Sequence, residues 1–457
     1  MQKIFGWSRA SSSYSKLFHP ETILDLNNII SLARENNSNI CMMGSGNSYG
    51  DEFQNDQNIV INTTKMNKII GWDSTSGIIE VEPGVTLTDI LKICLLDSWI
   101  IPVVPGVRSP TIGGCIANNI HGKNCYIDGN IGDWVLEFDI LLSSGEIITC
   151  SNKLNNELFY SAIGGIGLLG IFTRIRIQLK KVSSSNVRVK KITASNVKMM
   201  LDYIYNQSLN EDYVIGQMDT FISGACLGRG SIHVAKHIIN RNNSLEVTKG
   251  IDLNKYLFHF IPRTWFIYFG KLFISSYFMR FISAIKYYLD YLTSNKAGHV
   301  ESFAQFNFLI DRIPNWPKIF KYGFYEIEPL IPFSKTEEVI KDIINISHRY
   351  KLPAYLAGVK LHKKDNFLLS YSLHGYSVGF DFPIEYSRIK VQKKMFEEIH
   401  NIIINAKGLI YLAKDNLIKP HQFKKMYSGK LEDFIEIKKK YDPTELFQSN
   451  IYRRLFI

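Results

Sequence analysis

The segment from Pro105 to Asn124 constrains this chain most. Glycines stand at 106, 113, 114 and 122, with Asn118, Asn119 and His121 close behind. The segment is too polar for a core strand and too rich in glycine for a stable helix. A glycine lacks the Cβ that would hold a ligand away, and the amides it exposes suit a pyrophosphate or an electron-rich ring. A bulky, partly anionic cofactor is the first expectation.

At 457 residues the chain is long enough for two cores. Hydrophobic residues make up 46% and charged residues 21%, a globular composition. The net charge of +11 favours anionic partners: nucleic acid, acidic lipid headgroups or phosphorylated substrates. No arginine-rich arm, RNA-binding signature or zinc-ligand spacing appears, so nucleic acid is the weakest of the three and no metal is expected. The six cysteines form no Cys-x-x-Cys pair, the pattern of reduced thiols in a cytosolic protein. Met1 to Arg9 lacks the apolar run of a secretory signal.

Apolar residues at helical spacing predict a helix over 21–35, and Ile40 to Met43 reads as a strand running into the glycine-rich turn Gly44 to Asp51. Strands near 59–61 and 78–81 and a helix over 87–96 complete an α/β unit. Val135 to Cys150 reads as a hairpin, and the alternation from Thr173 to Leu179 as a half-buried strand. The polar run Ser183 to Asn186 marks a domain boundary. Beyond it, helices are expected over 336–348 and 389–404, with strands over 355–361 and 377–382.

Leu253 to Tyr288 is aromatic, basic and free of acidic residues, with Lys255, Arg263, Lys271, Arg280 and Lys286 interrupting every window long enough to span a membrane. A surface-seeking segment and a packed helix pair both fit, with Pro262 and Gly270 as break points.

Gly44 to Gly50 is not a Rossmann fingerprint, since the third glycine is missing. Together with the glycines at 113–114 and 164–165 it predicts one long cofactor gripped by several loops. On these motifs, and on Gly6 to Arg9, His121 to Asn124, Tyr411 to Asp415, Tyr441 to Pro443 and Arg453 to Leu455, the chain resembles flavoprotein oxidoreductases of the vanillyl-alcohol-oxidase superfamily, with FAD-binding domains of PCMH type. Within it the chain is similar to the decaprenylphosphoryl-β-D-ribose 2′-oxidase family. The resemblance covers nearly the whole chain and is weakest between Val187 and Ser302.

The resemblance implies an α+β fold: a two-part α/β FAD-binding domain with an inserted substrate domain of antiparallel sheet plus helices. The parts would be residues 1–180, 181–405 and a C-terminal segment, 406–457, returning to the FAD domain. FAD would be held by Met42, Met43, Gly44, Ser45, Gly46, Asn47, Ser48, Tyr49, Gly50, Asp51 and Glu52, and by Gly106, Thr111, Ile112, Gly113 and Gly114. Asn118, Asn119, Ile120, His121, Ile171, Phe172 and Tyr411 would complete its site. Many members of the superfamily attach FAD through a histidine in the first loop; Asn47 stands there, implying non-covalent FAD.

Oxidising a secondary alcohol needs a hydride acceptor and a base or polar relay for the hydroxyl proton. His121, Lys414, Tyr49 and Lys123 are the candidates, with Lys123 and Lys360 in the substrate pocket. Three departures bear on the substrate: Gly379 replaces a cysteine, Glu326 and Glu328 replace glutamines, and Asn307 replaces a tyrosine. The implied reaction is oxidation of the 2′-hydroxyl of a polyprenyl-phosphoryl pentose to a keto sugar, for cell-envelope glycan precursors. A short-chain reductase would complete the epimerisation. The implied place is the cytoplasm or the inner face of the plasma membrane. An aldonolactone or alditol oxidase on a soluble sugar, and a catalytically silent flavoprotein that binds a lipid-linked sugar, are the alternatives.

Overall fold

The computed structural model describes residues 1–239, 256–257, 261–262, 274–294, 297–313 and 315–457. The fold is α+β. The helix Ile23–Glu35 starts where Thr22 and Asp25 cap each other reciprocally. Its Leu26, Ile29, Ile30 and Ala33 are buried with Ile40, Ile59 and Ile61. The strands Ile40–Met43 and Ile59–Asn62 pair in parallel, and Ser12–Phe18 joins them on the other side. The glycine-rich turn therefore leaves the carboxyl end of a parallel strand, the usual side for ligands in such sheets.

A second sheet runs in the order Ile69–Asp73, Ile78–Val81, Ile171–Gln178, Val135–Leu141, Ile147–Ser151. Its central strand alternates as the sequence predicts. Ile175 and Ile177 are buried, while Arg174 reaches Glu137 and Asp139 at 2.6 Å each on the other face.

One expectation fails here. Residues 112–117 are helical, despite two glycines. Thr111 caps the turn by accepting from the Gly114 amide, and Ile112, Cys115 and Ile116 are fully buried. A Cβ on Gly113 would lie 2.8 Å from Pro83 Cβ. Close packing against the neighbouring loop thus demands the glycine, and tertiary burial overrides its poor helix propensity.

The third sheet holds nine strands among the described residues, starting from Asn186–Ala194. Its middle is Tyr213–Met218, Leu356–His362 and Gly375–Pro383, and Phe324–Ile327 pairs with the last of these. The helix Val197–Ser208 covers one face: a Cβ on Gly230 would meet Met200 of that helix at 2.7 Å. Ser231, pointing the other way, donates to Asp290 of the helix Ser276–Thr293 at 2.8 Å. That second face carries Gln217, Gly358, Lys360, Gly379, Asp381 and Glu326, with Asp219 and Glu328 continuing the alternation just past two strand ends, and forms the floor of a cavity.

The chain then returns to the first sheet. Leu409–Ile410 still pairs with Pro329–Pro332. Further on, the Ile40 amide donates to Leu446 O at 2.8 Å, the Gln448 amide donates to Ile40 O at 2.9 Å, and Arg454 grips Asp51 at 2.8 and 3.0 Å.

Much of the stretch 253–288 lies outside the described residues, including Lys255, Arg263, Gly270 and Lys271. Pro262 belongs to a two-residue strand facing Tyr256–Leu257. The end of the stretch belongs to the helix Ser276–Thr293, where Arg280 donates to Phe221 O and Lys286 pairs with Asp290. These two cations are therefore engaged within the protein. Among the described residues no helix is long and apolar enough to cross a membrane.

Candidate active site

Two cavities meet at a shared wall of Tyr49, Pro105, Gly106, Ile310 and Lys414. The first is built from the glycine loops. Residues 42–49, Glu52, Gly106, Thr111, Gly113, Gly114, Asn118, Ile120, Ile171, Phe172 and Tyr411 line it, all singled out in the sequence. Five others expected there face elsewhere, among them His121, which lines the second cavity instead. Ile112 is core, and Asp51 is buried in an ion pair with Arg454. Asn119 bonds Asp365 and the Gly132 amide, so it ties two loops together instead of facing a ligand. Gly50 packs against Glu52 and the Asp415 and Leu412 carbonyls.

The residues of this first cavity fit FAD. The buried Glu52 carboxyl lies beside the Ser48 hydroxyl, and Asn47 Nδ2 and Asn118 Oδ1 are buried without a partner among the described residues. Such groups carry a desolvation cost of about 1–3 kcal/mol each unless a ligand bonds them. Gly46 and Gly167 have φ of +68° and +73°, backbone that keeps side chains out of the cradle. Burial pushes the Glu52 carboxyl up to about 8, so it is neutral at pH 7. A neutral carboxyl can donate a hydrogen bond without repelling a diphosphate. Also on this wall, and missed in the sequence, are Cys115, Ala117, Ile166 and Gly170. Three of these are small and Ile166 is not, and no residue type marks them as a group.

The second cavity, about 500 Å³, lies over the sheet face. It gathers Tyr49, His121, Lys123, Asn307, Glu326, Glu328, Lys360, Gly379 and Lys414. Its centre is Glu328, 1% exposed at the side chain. Glu328 Oε1 accepts from His121 Nε2 at 2.9 Å, Lys360 Nζ at 3.1 Å and Ser377 Oγ at 3.2 Å. Lys414 Nζ stands 2.8 Å from Oε2, an ion pair lacking hydrogen-bond geometry, and donates to Glu326 Oε1 at 2.6 Å. Burial works to raise the Glu328 carboxyl, but Lys360, Lys414 and His121 outweigh it and hold it well below the usual range. Lys414 is the mirror case: burial opposes its charge, and Glu326 and Glu328 raise its ammonium well above the ordinary value. It is a fixed cation, not a base.

His121 is likewise not a free base. Burial, opposed by Glu328, takes its imidazole down to about 4. The neutral ring donates from Nε2 to Glu328 and accepts at Nδ1 from the Tyr371 hydroxyl at 2.8 Å. Both nitrogens are used. Tyr371 was not found from sequence, because it comes from a loop between strands with no motif around it. Lys123 also departs from expectation. Its Nζ donates to the main-chain carbonyls of Phe306 and Asn307, and burial, with Arg312 and Lys360 nearby, holds its pKa well below the usual lysine value. It secures the short helix Phe303–Asn307 through those carbonyls. The Asn307 side chain donates to Phe303 O at 3.3 Å. Tyr49 stacks near Trp7, ring centroids 4.6 Å apart, with Lys414 Nζ 5.1 Å from its own centroid.

Residues 15–151 match the family described as FAD binding domain, and residues 272–455 match that described as D-arabinono-1,4-lactone oxidase. The chain is 26% identical over 462 residues to a decaprenylphosphoryl-beta-D-ribose oxidase of Mycolicibacterium smegmatis, covering 99% of this chain and 97% of the relative. It is 26% identical over 170 residues to a putative D-arabinono-1,4-lactone oxidase of Neurospora crassa, covering 37% and 30%. Against an L-gulonolactone oxidase of Bos taurus it is 25% identical over 177 residues, covering 38% and 40%.

Proposed function

The chain is an FAD-dependent oxidoreductase of the PCMH-type flavoprotein superfamily, and on that premise we propose that it oxidises the 2′-hydroxyl of a polyprenyl-phosphoryl pentose to a keto sugar. The observation that carries this reading is the meeting of the two cavities at Tyr49, Gly106 and Lys414. A substrate in the second cavity thereby adjoins a cofactor in the first. The full-length likeness to a decaprenylphosphoryl-beta-D-ribose oxidase supports the substrate class.

Bound FAD supplies the hydride acceptor, held without a covalent link because Asn47 offers no nucleophile there. Lys414, fixed by Glu326 and Glu328, places a positive charge where the two cavities join. Tyr371 holds His121, His121 holds Glu328, and Glu328 holds Lys360 and Lys414, so the cations keep one geometry. The buried aromatic cluster of Tyr49, Phe324, Phe320 and Tyr355 shields this corner from water. In this reading a short-chain reductase completes the epimerisation, and the lipid substrate brings the enzyme to the inner face of the plasma membrane.

The match of residues 272–455 and the carboxyls of Glu326, Glu328 and Asp381 in the cavity favour a second reading, oxidation of a soluble aldonolactone or alditol. Anaerobic addition of each substrate class separates the two. Bleaching of the bound flavin by a polyprenyl-phosphoryl pentose supports the first reading; bleaching by a free alditol alone supports the second.

A further inference from the structure

Glu326 stands apart from the other candidate groups. Its strand, Phe324–Ile327, runs antiparallel to Gly375–Pro383, with Glu326 directly opposite Asp381. Both carboxyls line the second cavity and both are more than nine-tenths buried. Gly379 lies on the same face as Asp381, two residues earlier. A Cβ at Gly379 would sit 2.7 Å from Glu326 Oε1. The Glu326 carboxyl thus occupies space that any larger residue at 379 would take.

The other groups in the cavity are committed. His121 has both ring nitrogens bonded, Lys123 is spent on two main-chain carbonyls, and Lys414 is a cation between two carboxylates. Glu328 accepts at Oε1 from three donors and faces Lys414 at Oε2. Lys360 is paired with Glu328, and the Tyr49 hydroxyl is held protonated by burial and by the Glu326 charge. Glu326 accepts from Lys414 at 2.6 Å and meets the Asp381 carboxyl side chain to side chain. Burial, with the Glu326 charge beside it, pushes the Asp381 carboxyl well above the usual range.

We propose that Glu326, housed by Gly379 and backed by Asp381, accepts the proton of the substrate hydroxyl. The inference rests on the reading of the site as an alcohol oxidase, for either substrate class. In the step the substrate O–H bond breaks and its proton passes to the Glu326 carboxylate. The adjoining C–H bond breaks with its electron pair, which leaves as hydride to FAD, and the C–O bond becomes C=O. Asp381 acts as a positioning residue that holds the Glu326 carboxylate toward the cavity.

The test combines anaerobic single-turnover reduction of the bound flavin with equilibrium binding of a polyprenyl-phosphoryl 2′-deoxypentose, which lacks the reacting hydroxyl. Glu326→Gln should slow reduction by about 100-fold or more, while the deoxy analogue binds within about threefold of wild type, the small change expected if binding is spared. Reduction by Glu326→Gln at the wild-type rate overturns the proposal. Should Glu326→Gln fail to retain FAD, Gly379→Ala serves: it should displace the carboxyl and slow reduction with flavin absorbance intact, and a wild-type rate overturns the proposal equally. If wild-type enzyme is bleached by an alditol and not by the lipid pentose, the substrate reading fails and the same variants are compared with the alditol. If neither bleaches it, the alcohol-oxidase reading fails and the proposal with it.

Discussion

His121 Nε2 lies 2.9 Å from Glu328 Oε1 while its Nδ1 takes the Tyr371 hydroxyl at 2.8 Å, so the ring bridges two buried groups in its neutral form. Removing the ring leaves both partners short of a bond, at a cost of about 1–3 kcal/mol. His121→Ala should therefore lower the melting temperature. The pH dependence has a definite sign. The folded value of about 4 lies below the unfolded 6.5, so between them the unfolded chain binds the extra proton and this group's contribution to stability rises with pH. Chemical denaturation at pH 4.5 and 7 should show a smaller stability difference in His121→Gln than in wild type.

Glu52 gives a prediction for the cofactor. Burial raises its carboxyl to about 8, against the opposing hydrogen bond of Ser48. Above that pH the free protein carries a buried negative charge that must be reprotonated for a diphosphate to approach. FAD affinity should fall by about tenfold per pH unit above 8. Fluorescence titration of apoprotein with FAD between pH 7 and 9.5 measures this, and Glu52→Gln should flatten the profile.

Much of this site was legible because its parts are backbone-driven. The loops at Gly44 to Tyr49 and at Gly106 to Gly114 declare themselves by glycine, and both line the first cavity. What sequence could not show was side-chain commitment across distant strands. Lys123 looks like a free cation until the fold brings the Phe306 and Asn307 carbonyls to it. Asp51 looks like a cofactor ligand until Arg454, 403 positions away, claims it. The helix at 112–117 was misread because propensity is local, whereas the packing of Gly113 on Pro83 is not.

Lys414 neutralises two buried carboxylates, and its loss leaves Glu326 and Glu328 facing each other without it. Removing one partner of a buried ion pair costs about 3–5 kcal/mol. Lys414→Ala should melt earlier and show no flavin bleaching on substrate addition; reduction at the wild-type rate would remove Lys414 from the mechanism. Lys414→Arg should regain part of the stability, since it restores the charge.

The helix Ser276–Thr293 places Met279, Ile282 and Tyr287 in the second cavity, while Tyr277, Phe281, Tyr288 and Leu292 are exposed on it. If this aromatic face meets a bilayer, Phe281→Ser with Leu292→Ser should reduce co-sedimentation with anionic vesicles and leave reduction by a detergent-solubilised substrate intact. Unchanged co-sedimentation would assign the exposed face another role.

The proposed reaction removes a carbon-bound hydrogen and a hydroxyl proton from a lipid-linked pentose at its 2′ position. Anaerobic stopped-flow reduction of the bound flavin, comparing polyprenyl-phosphoryl ribose with the same lipid deuterated at C2′, tests it most directly. Full bleaching is expected with both lipids, slower with deuterium. Absence of bleaching, or equal rates when C–H cleavage limits reduction with an alditol, would contradict it.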